Sequence, residues 1–153
     1  MEKKISVDIR KLDKENLPEF IELIHLFEVV FEMEDFSMPN THHLQKLLNQ
    51  NNFGVFVATF NGKVVGGLTT YVLEQYYSEK PLAYIFDLAV DNELQRKGIG
   101  KKLIATVNKF YQEKGFEEVF VQADKVDDYA IDFYRKTSPS AEEEVAHFYY
   151  KLN

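Results

Sequence analysis

Hydrophobic and polar positions recur along this chain at strand and helix periods in turn. Ile5, Val7 and Ile9 alternate with polar residues and predict a first strand over 5–11. Asn16 then stands as an N-cap, with Glu19 at capping-box spacing. The helix that follows places Phe20, Ile24, Phe27 and Phe31 on one face. Pro39 closes a loop, and 41–49 predicts a short helix with Leu44, Leu47 and Leu48 inward. Two apolar runs, 53–60 and 63–73, flank Asn61-Gly62, a strong two-residue hairpin signal. Inside the second run, Gly66-Gly67 marks either a bulge or a close approach. A further strand is expected over 84–90. Residues 101–114 put Leu103, Ile104, Val107, Phe110 and Tyr111 on one helical face, and Gly115 ends that helix. A strand over 118–123, a short helix over 129–136 and a last strand over 145–152 complete the chain.

Composition narrows the class. The chain has 153 residues, 45% of them hydrophobic, enough for one domain with a real core. There are no repeats, linkers or low-complexity tracts. It has no cysteine, which excludes disulfides and thiolate metal sites. No apolar run follows Met1-Glu2-Lys3-Lys4 and no stretch is long enough to cross a membrane, so a cytoplasmic protein is expected. The net charge of −7 disfavours nucleic acid and suits a cationic substrate.

The chemistry centres on the strand Tyr84-Ile85-Phe86-Asp87-Leu88-Ala89-Val90 and the loop and helix after it. A glycine turn before a helix N-terminus gathers backbone N–H groups for an anion. The loop lacks the lysine and hydroxyl of a P-loop, and the three-glycine dinucleotide pattern. Arg96, Lys97, Lys101 and Lys102 supply positive charge beside it. Asp87 interrupts an apolar strand, where a carboxylate has either a task or a backbone N–H partner. Glu28, Glu32, Glu34 and Asp35 are either a solvated helix face or a carboxylate wall for a polyamine. His42 and His43 do not form a metal pair, since adjacent helical positions diverge.

Gln95-x-x-Gly98-x-Gly100, following a strand, resembles the acetyl-CoA loop of the GNAT superfamily of N-acetyltransferases. A second motif, Asn-x-x-Ala-x-x-x-Tyr in that family, is matched here by Ala130 and Tyr134, with Asp127 in place of the asparagine. The order of elements from 5 to 152 is also similar. A closer resemblance is to aminoglycoside 3-N-acetyltransferases of the gentamicin/fortimicin type. It rests on Tyr71-Val72-Leu73, on 84–90, on Val121-Gln122-Ala123-Asp124 with Asp127-Asp128, and on Glu143-Glu144-Val145-x-His147-Phe148. The Leu26-Phe27 and Glu32 region is similar too. The chain departs from that pattern at Lys136-Thr137-Ser138-Pro139-Ser140, where the family has Lys-Leu-Gly.

The resemblance implies a single α/β domain over 1–153, with a mixed, mostly antiparallel central sheet and helices on both faces. It implies transfer of acetyl from acetyl-CoA to an amine of a small polycationic acceptor, with no metal. Asp87 is the expected base and Tyr134 the expected acid for the leaving thiolate. Leu88, Ala89 and Val90 are expected along the pantetheine arm. Gln95, Arg96, Lys97, Gly98, Ile99, Gly100 and Lys101 are expected around the pyrophosphate. Glu32, Asp35, Asp124, Asp127 and Asp128 are the expected acceptor contacts, and His147 is read as structural. No nucleic acid or membrane partner is expected, and a homodimer is compatible with the chain. The alternatives are a polyamine or protein-lysine acetyltransferase, and a CoA-binding sensor without turnover.

Overall fold

In the computed structural model, Asn61 and Gly62 both take positive φ, 52° and 76°. A two-residue type I′ turn requires this conformation. The turn joins β2 (Phe53–Phe60) to β3 (Lys63–Leu73) as an antiparallel pair. Around this hairpin the sheet runs β1-β2-β3-β4-β5, with β1 at Asp8–Lys11, β4 at Leu82–Val90 and β5 at Glu118–Val121. Every neighbouring pair is antiparallel except β4 and β5, which are parallel. The structure describes residues 5–153; the Met1 to Lys4 start, read above as followed by no apolar run, lies outside the described residues. Contacts divide the chain into two compact units, 1–122 and 123–153, and each is described by itself.

In the first unit, helices cover both faces of the sheet, and Gly66 and Gly67 show why the chain needs glycine there. A Cβ on Gly67 would lie 2.6 Å from the Phe56 carbonyl oxygen and 2.7 Å from Leu23 of α1 (Leu17–Val30). A Cβ on Gly66 would press on the Ala89 carbonyl at 3.2 Å and on Ile99, the first residue of α3 (Ile99–Glu113), at 3.3 Å. Adjacent strand residues point to opposite faces, so one glycine admits α1 and the other admits α3. Of the two readings left open by the sequence, the close approach holds on both sides, and a bulge is present as well, because the register passes from Ala58–Gly66 to Thr59–Val64 and leaves Val65 as an extra residue.

On one face, Phe20, Leu23 and Phe27 of α1 pack with Phe53, Val55, Val57 and Ala89, joined by Leu44 of α2 (Thr41–Leu48). On the other face, α3 buries Ile99, Leu103, Ile104, Val107 and Tyr111. The Tyr111 hydroxyl lies 2.6 Å from Thr70 Oγ1 and ties the helix to β3. After Lys114, Gly115 takes φ 80°. The Phe116 N–H reaches the Tyr111 carbonyl and the Gly115 N–H that of Gln112, a Schellman ending.

Three local expectations are corrected. Asn16 sits at the N-cap of α1, but its side chain makes no cap bond; Oδ1 accepts from the Asp13 N–H at 2.9 Å. Glu19 lies 3.7 Å from Arg10 and closes no capping box. The buried stripe of α1 is Phe20, Leu23 and Phe27, while Phe31 falls past the helix end and stacks on Phe27 at 5.3 Å.

The second unit contains α4 (Asp128–Arg135), opened by Asp127, whose Oδ1 accepts from the Ala130 N–H at 3.0 Å. Arg135 makes a two-pronged pair with Glu142 at 2.9 and 2.8 Å, and Lys125 pairs with Glu144 at 2.8 Å. The last strand expected over 145–152 is absent. A strand forms only against a partner, and the sheet order ends at β5. Among the described residues, no helix is long and apolar enough to cross a membrane.

Candidate active site

The site is built around a slip in β4. Ile85 pairs with Thr70 and Asp87 pairs with Thr69, so Phe86 is an extra residue, a β-bulge. Directly opposed residues of an antiparallel pair share a face. Thr70 faces α3 through Tyr111, so Asp87, opposite Thr69, faces the α1 side. Tyr84 is opposite Tyr71, and Phe86 meets both rings edge-on, at 5.6 Å from Tyr71 and 6.0 Å from Tyr84. The bulge thus gathers Tyr84, Phe86 and Asp87 beside Tyr71 on one face. Tyr84 also stacks on Phe120 at 4.8 Å, while Phe86 remains 54% exposed.

The pairing of β4 with β5 ends at the same point of β4, where β5 itself ends at Val121. Their register runs from Leu82 opposite Glu118 to Ile85 opposite Val121 and stops there. Beyond it, Asp87, Leu88, Ala89 and Val90 pair with Thr69, Leu68, Gly67 and Gly66 on the β3 side alone. Strand backbone open on one side is a template for an extended chain with its own amides.

Burial holds the Asp87 carboxyl above its ordinary pKa. The Tyr71 phenol is also raised, first by burial and then by the Asp87 charge; the register sets Tyr71 and Asp87 on the same face of the sheet. Tyr71 is a site neighbour that received no role from sequence alone. Its proximity follows from the cross-strand register, two positions from Thr69, which no local pattern encodes.

After β4 the chain turns through Asp91, which accepts from the Glu93 N–H at 2.9 Å, and a single 3₁₀ turn, Asn92–Leu94. The Gln95 side chain donates back to the Val90 carbonyl and to Asn92 Oδ1, each at 3.1 Å, and so braces the loop. Arg96 and Gly98 both take the left-handed conformation, φ 63° and 87°. Gly98 is the N-cap of α3 and makes no side-chain cap. The first ladder bond of the helix is Lys102 N–H to the Gly98 carbonyl, so the N–H groups of Ile99, Gly100 and Lys101 lie in the uncapped first turn. Arg96 and Lys101 are exposed and Lys97 half-buried. Lys102 leaves the basic set, because its ammonium donates to the Val7 carbonyl at 2.6 Å.

Glu32 and Asp35 are exposed on the turn after α1, and both hold positive φ, 50° and 55°. Glu28, nearby in sequence, lies 3.5 Å from His25. In the second unit, Asp124, Asp127 and Asp128 are exposed, and Asp127 uses one oxygen as the α4 cap. Asparagine and aspartate cap equally well, so Asp127 keeps the structural service of the residue it replaces. Tyr134 is half-buried on α4, its ring edge-on to Phe133 at 5.0 Å. Among the described residues no group of three His, Cys, Asp or Glu is placed to hold a metal ion.

Residues 17–138 match the family described as "Acetyltransferase (GNAT) family". A solved aminoglycoside acetyltransferase from an uncultured soil metagenomic sample, in complex with sisomicin, is 70% identical, with a TM-score of 0.95 over 96% of this chain and 97% of its own. Another aminoglycoside acetyltransferase from an uncultured soil metagenomic sample is 30% identical, with a TM-score of 0.90 over 97% and 100%. Homo sapiens N-acetyltransferase 8B is 30% identical over 80 residues, 52% of this chain and 35% of that protein, so the match spans about a third of the human relative's length. The match to the family over most of the chain, on a mixed sheet with helices on both faces, makes this protein a member of the GNAT family of acetyltransferases.

Proposed function

We propose that this enzyme transfers acetyl from acetyl-CoA to an amine of an aminoglycoside, and by its resemblance to the gentamicin/fortimicin type, to the 3-amino group. The observation that carries the reading is the bulge at Phe86, which sets Asp87 beside an open strand edge and just before a glycine turn. The high identity to a sisomicin-bound relative supports the acceptor class. The reading treats 1–153 as one acetyltransferase domain and places it in the cytoplasm with its cofactor.

The backbone of Leu88, Ala89 and Val90 binds the pantetheine arm as an added strand. N–H groups from Arg96 to Lys101 hold the pyrophosphate, where the α3 dipole and the charges of Arg96, Lys97 and Lys101 favour an anion. Glu32, Asp35, Asp124, Asp127 and Asp128 attract the ammonium groups of the acceptor. The reacting nitrogen must be neutral, so Asp87 takes its proton, directly or through water. The amine then bonds to the acetyl carbon, the carbon–sulfur bond breaks, Tyr134 protonates the departing thiolate, and the acylated nitrogen gives its second proton to water, from which Tyr134 is reprotonated. An Asp87 raised by burial is a stronger base than an exposed aspartate, and so better matched to an ammonium.

The test is the rate of CoA release with an aminoglycoside, a linear polyamine, a lysine peptide and a neutral monoamine at several salt concentrations. The aminoglycoside is expected to lead, with KM rising as salt screens the carboxylates. Equal efficiency with the monoamine, with no salt effect, would remove the acceptor assignment.

Gly98→Val tests the cofactor loop separately. At φ 87° a β-branched side chain is strained and stands where the pyrophosphate must meet backbone. The KM for acetyl-CoA is expected to rise about tenfold or more, the loss of one good anion contact. An unchanged KM in the folded variant would take the loop out of the site.

A further inference from the structure

Lys11 closes β1, and the register sets it directly opposite Phe56 of β2. Directly opposed residues share a face. Phe56 meets Phe110 of α3 edge-on at 5.4 Å, so Lys11 lies on the α3 face. Gly54 gives its stem room: a Cβ there would stand 3.6 Å from Lys11 Cε. The ammonium ends 5.9 Å from the centre of the Phe110 ring. Lys114, at the C-terminal end of α3, brings a second ammonium to 5.5 Å from the same ring. An aromatic face attracts cations but carries no net charge to neutralise two of them. Among the described residues, neither ammonium has a carboxylate at ion-pair distance. Lys109 and Lys125, by contrast, pair with Glu113 and Glu144 at 4.0 and 2.8 Å, and Lys102 donates to a carbonyl.

The charged groups that act on Lys11 are Lys114 from α3 and Asp13 from the turn after β1; β2 carries no charged residue. Partial burial and then the Lys114 charge hold the Lys11 pKa below its ordinary 10.5, and Asp13 opposes them. A lysine that is desolvated beside another cation is an activated nucleophile. Lys11 is nevertheless exposed, so a reagent can reach it.

We propose that Lys11 is a modification site, acetylated at Nζ by acetyl-CoA from solution without the help of Asp87. The neutral amine attacks the thioester carbonyl carbon. A carbon–nitrogen bond forms, the carbon–sulfur bond breaks, and its electron pair leaves on sulfur. The nitrogen gives a proton to water and the thiolate takes one up, leaving N-acetyllysine and CoA. Asp87 is too far away to take part. Its strand β4 lies three places from β1, about 14 Å, and it faces the α1 side of the sheet while Lys11 faces α3. Only the acetyl donor is needed, so the acceptor assignment has no bearing on the outcome.

The test incubates the full chain with acetyl-CoA at mildly alkaline pH and follows each lysine by peptide mass spectrometry. Lys11 is expected to acquire acetyl ahead of Lys102, Lys109 and Lys125. Lys114→Gln should slow it and Asp13→Asn should speed it, each about 1.4- to 5-fold, the effect of one exposed charge pair. Simple exposure would be indifferent to both charges. Asp87→Asn should label at Lys11 as fast as the wild type. A Lys11 that lags behind those three lysines, or whose rate ignores Lys114, overturns the proposal. So does labelling that is lost in Asp87→Asn, which would belong to the enzyme's own catalysis.

Discussion

Asp87→Asn is expected to lower kcat by about 100- to 10,000-fold, the range for loss of a positioned general base. Asparagine keeps the size and one acceptor oxygen of the side chain, but its NH2 group donates where the second oxygen accepted, and it cannot accept the proton of the ammonium. The rise of rate with pH through the raised carboxyl pKa should flatten in the variant. Stability should move the other way. Burial raises the folded-state pKa above the ordinary 3.8, so ionising Asp87 costs the folded chain more than the unfolded one. The wild type is therefore free of this cost below 3.8 and incurs it as pH rises through the raised value. Asp87→Asn should have the higher Tm at neutral pH, with the difference closing in acid. A variant that loses activity and also loses Tm at neutral pH would point to a structural aspartate.

Tyr134→Phe is expected to lower kcat by about 100-fold, the lower end for one acid catalyst, with the KM for acetyl-CoA unchanged. The change removes a hydroxyl and leaves the ring, so the edge-on packing against Phe133 at 5.0 Å should survive. Rapid-quench measurement of the first turnover isolates the chemical step from product release. A wild-type first turnover would assign Tyr134 to packing alone.

What the sequence made legible was local. Asn61-Gly62 announces its turn because few residues tolerate two positive φ angles in succession. Gly115 announces the end of α3 for the same reason. The turn from Gln95 to Gly100 into α3 was legible because the left-handed conformation at Gly98 favours glycine just before a helix. What stayed hidden depends on partners distant in sequence. The bulge at Phe86 exists only relative to β3, and no residue type at 84–87 signals it. The meeting of Tyr71 with Asp87 follows from that register. Asn16 was read as a cap because its type and place were right, yet Asp13 competes for its oxygen. The pattern at 145–152 reads as a strand, but a pattern names only which face would be buried and not against what.

The bulge has a consequence for how this enzyme can change over evolutionary time. Before Phe86, odd-numbered residues of β4 share the face of Thr70; after it, they share the face of Thr69. The direction of the Asp87 carboxylate is thus set by a count of residues. Point substitutions at Phe86 preserve the count, so this position is open to mutational drift in size and polarity that changes the aromatic cluster with Tyr71 and Tyr84 beside Asp87. Loss or gain of a single codon there would reverse the parity and turn the carboxylate toward α3. Lineages descended from this sequence should vary freely in the identity of residue 86 and hardly at all in the length of the strand that holds it.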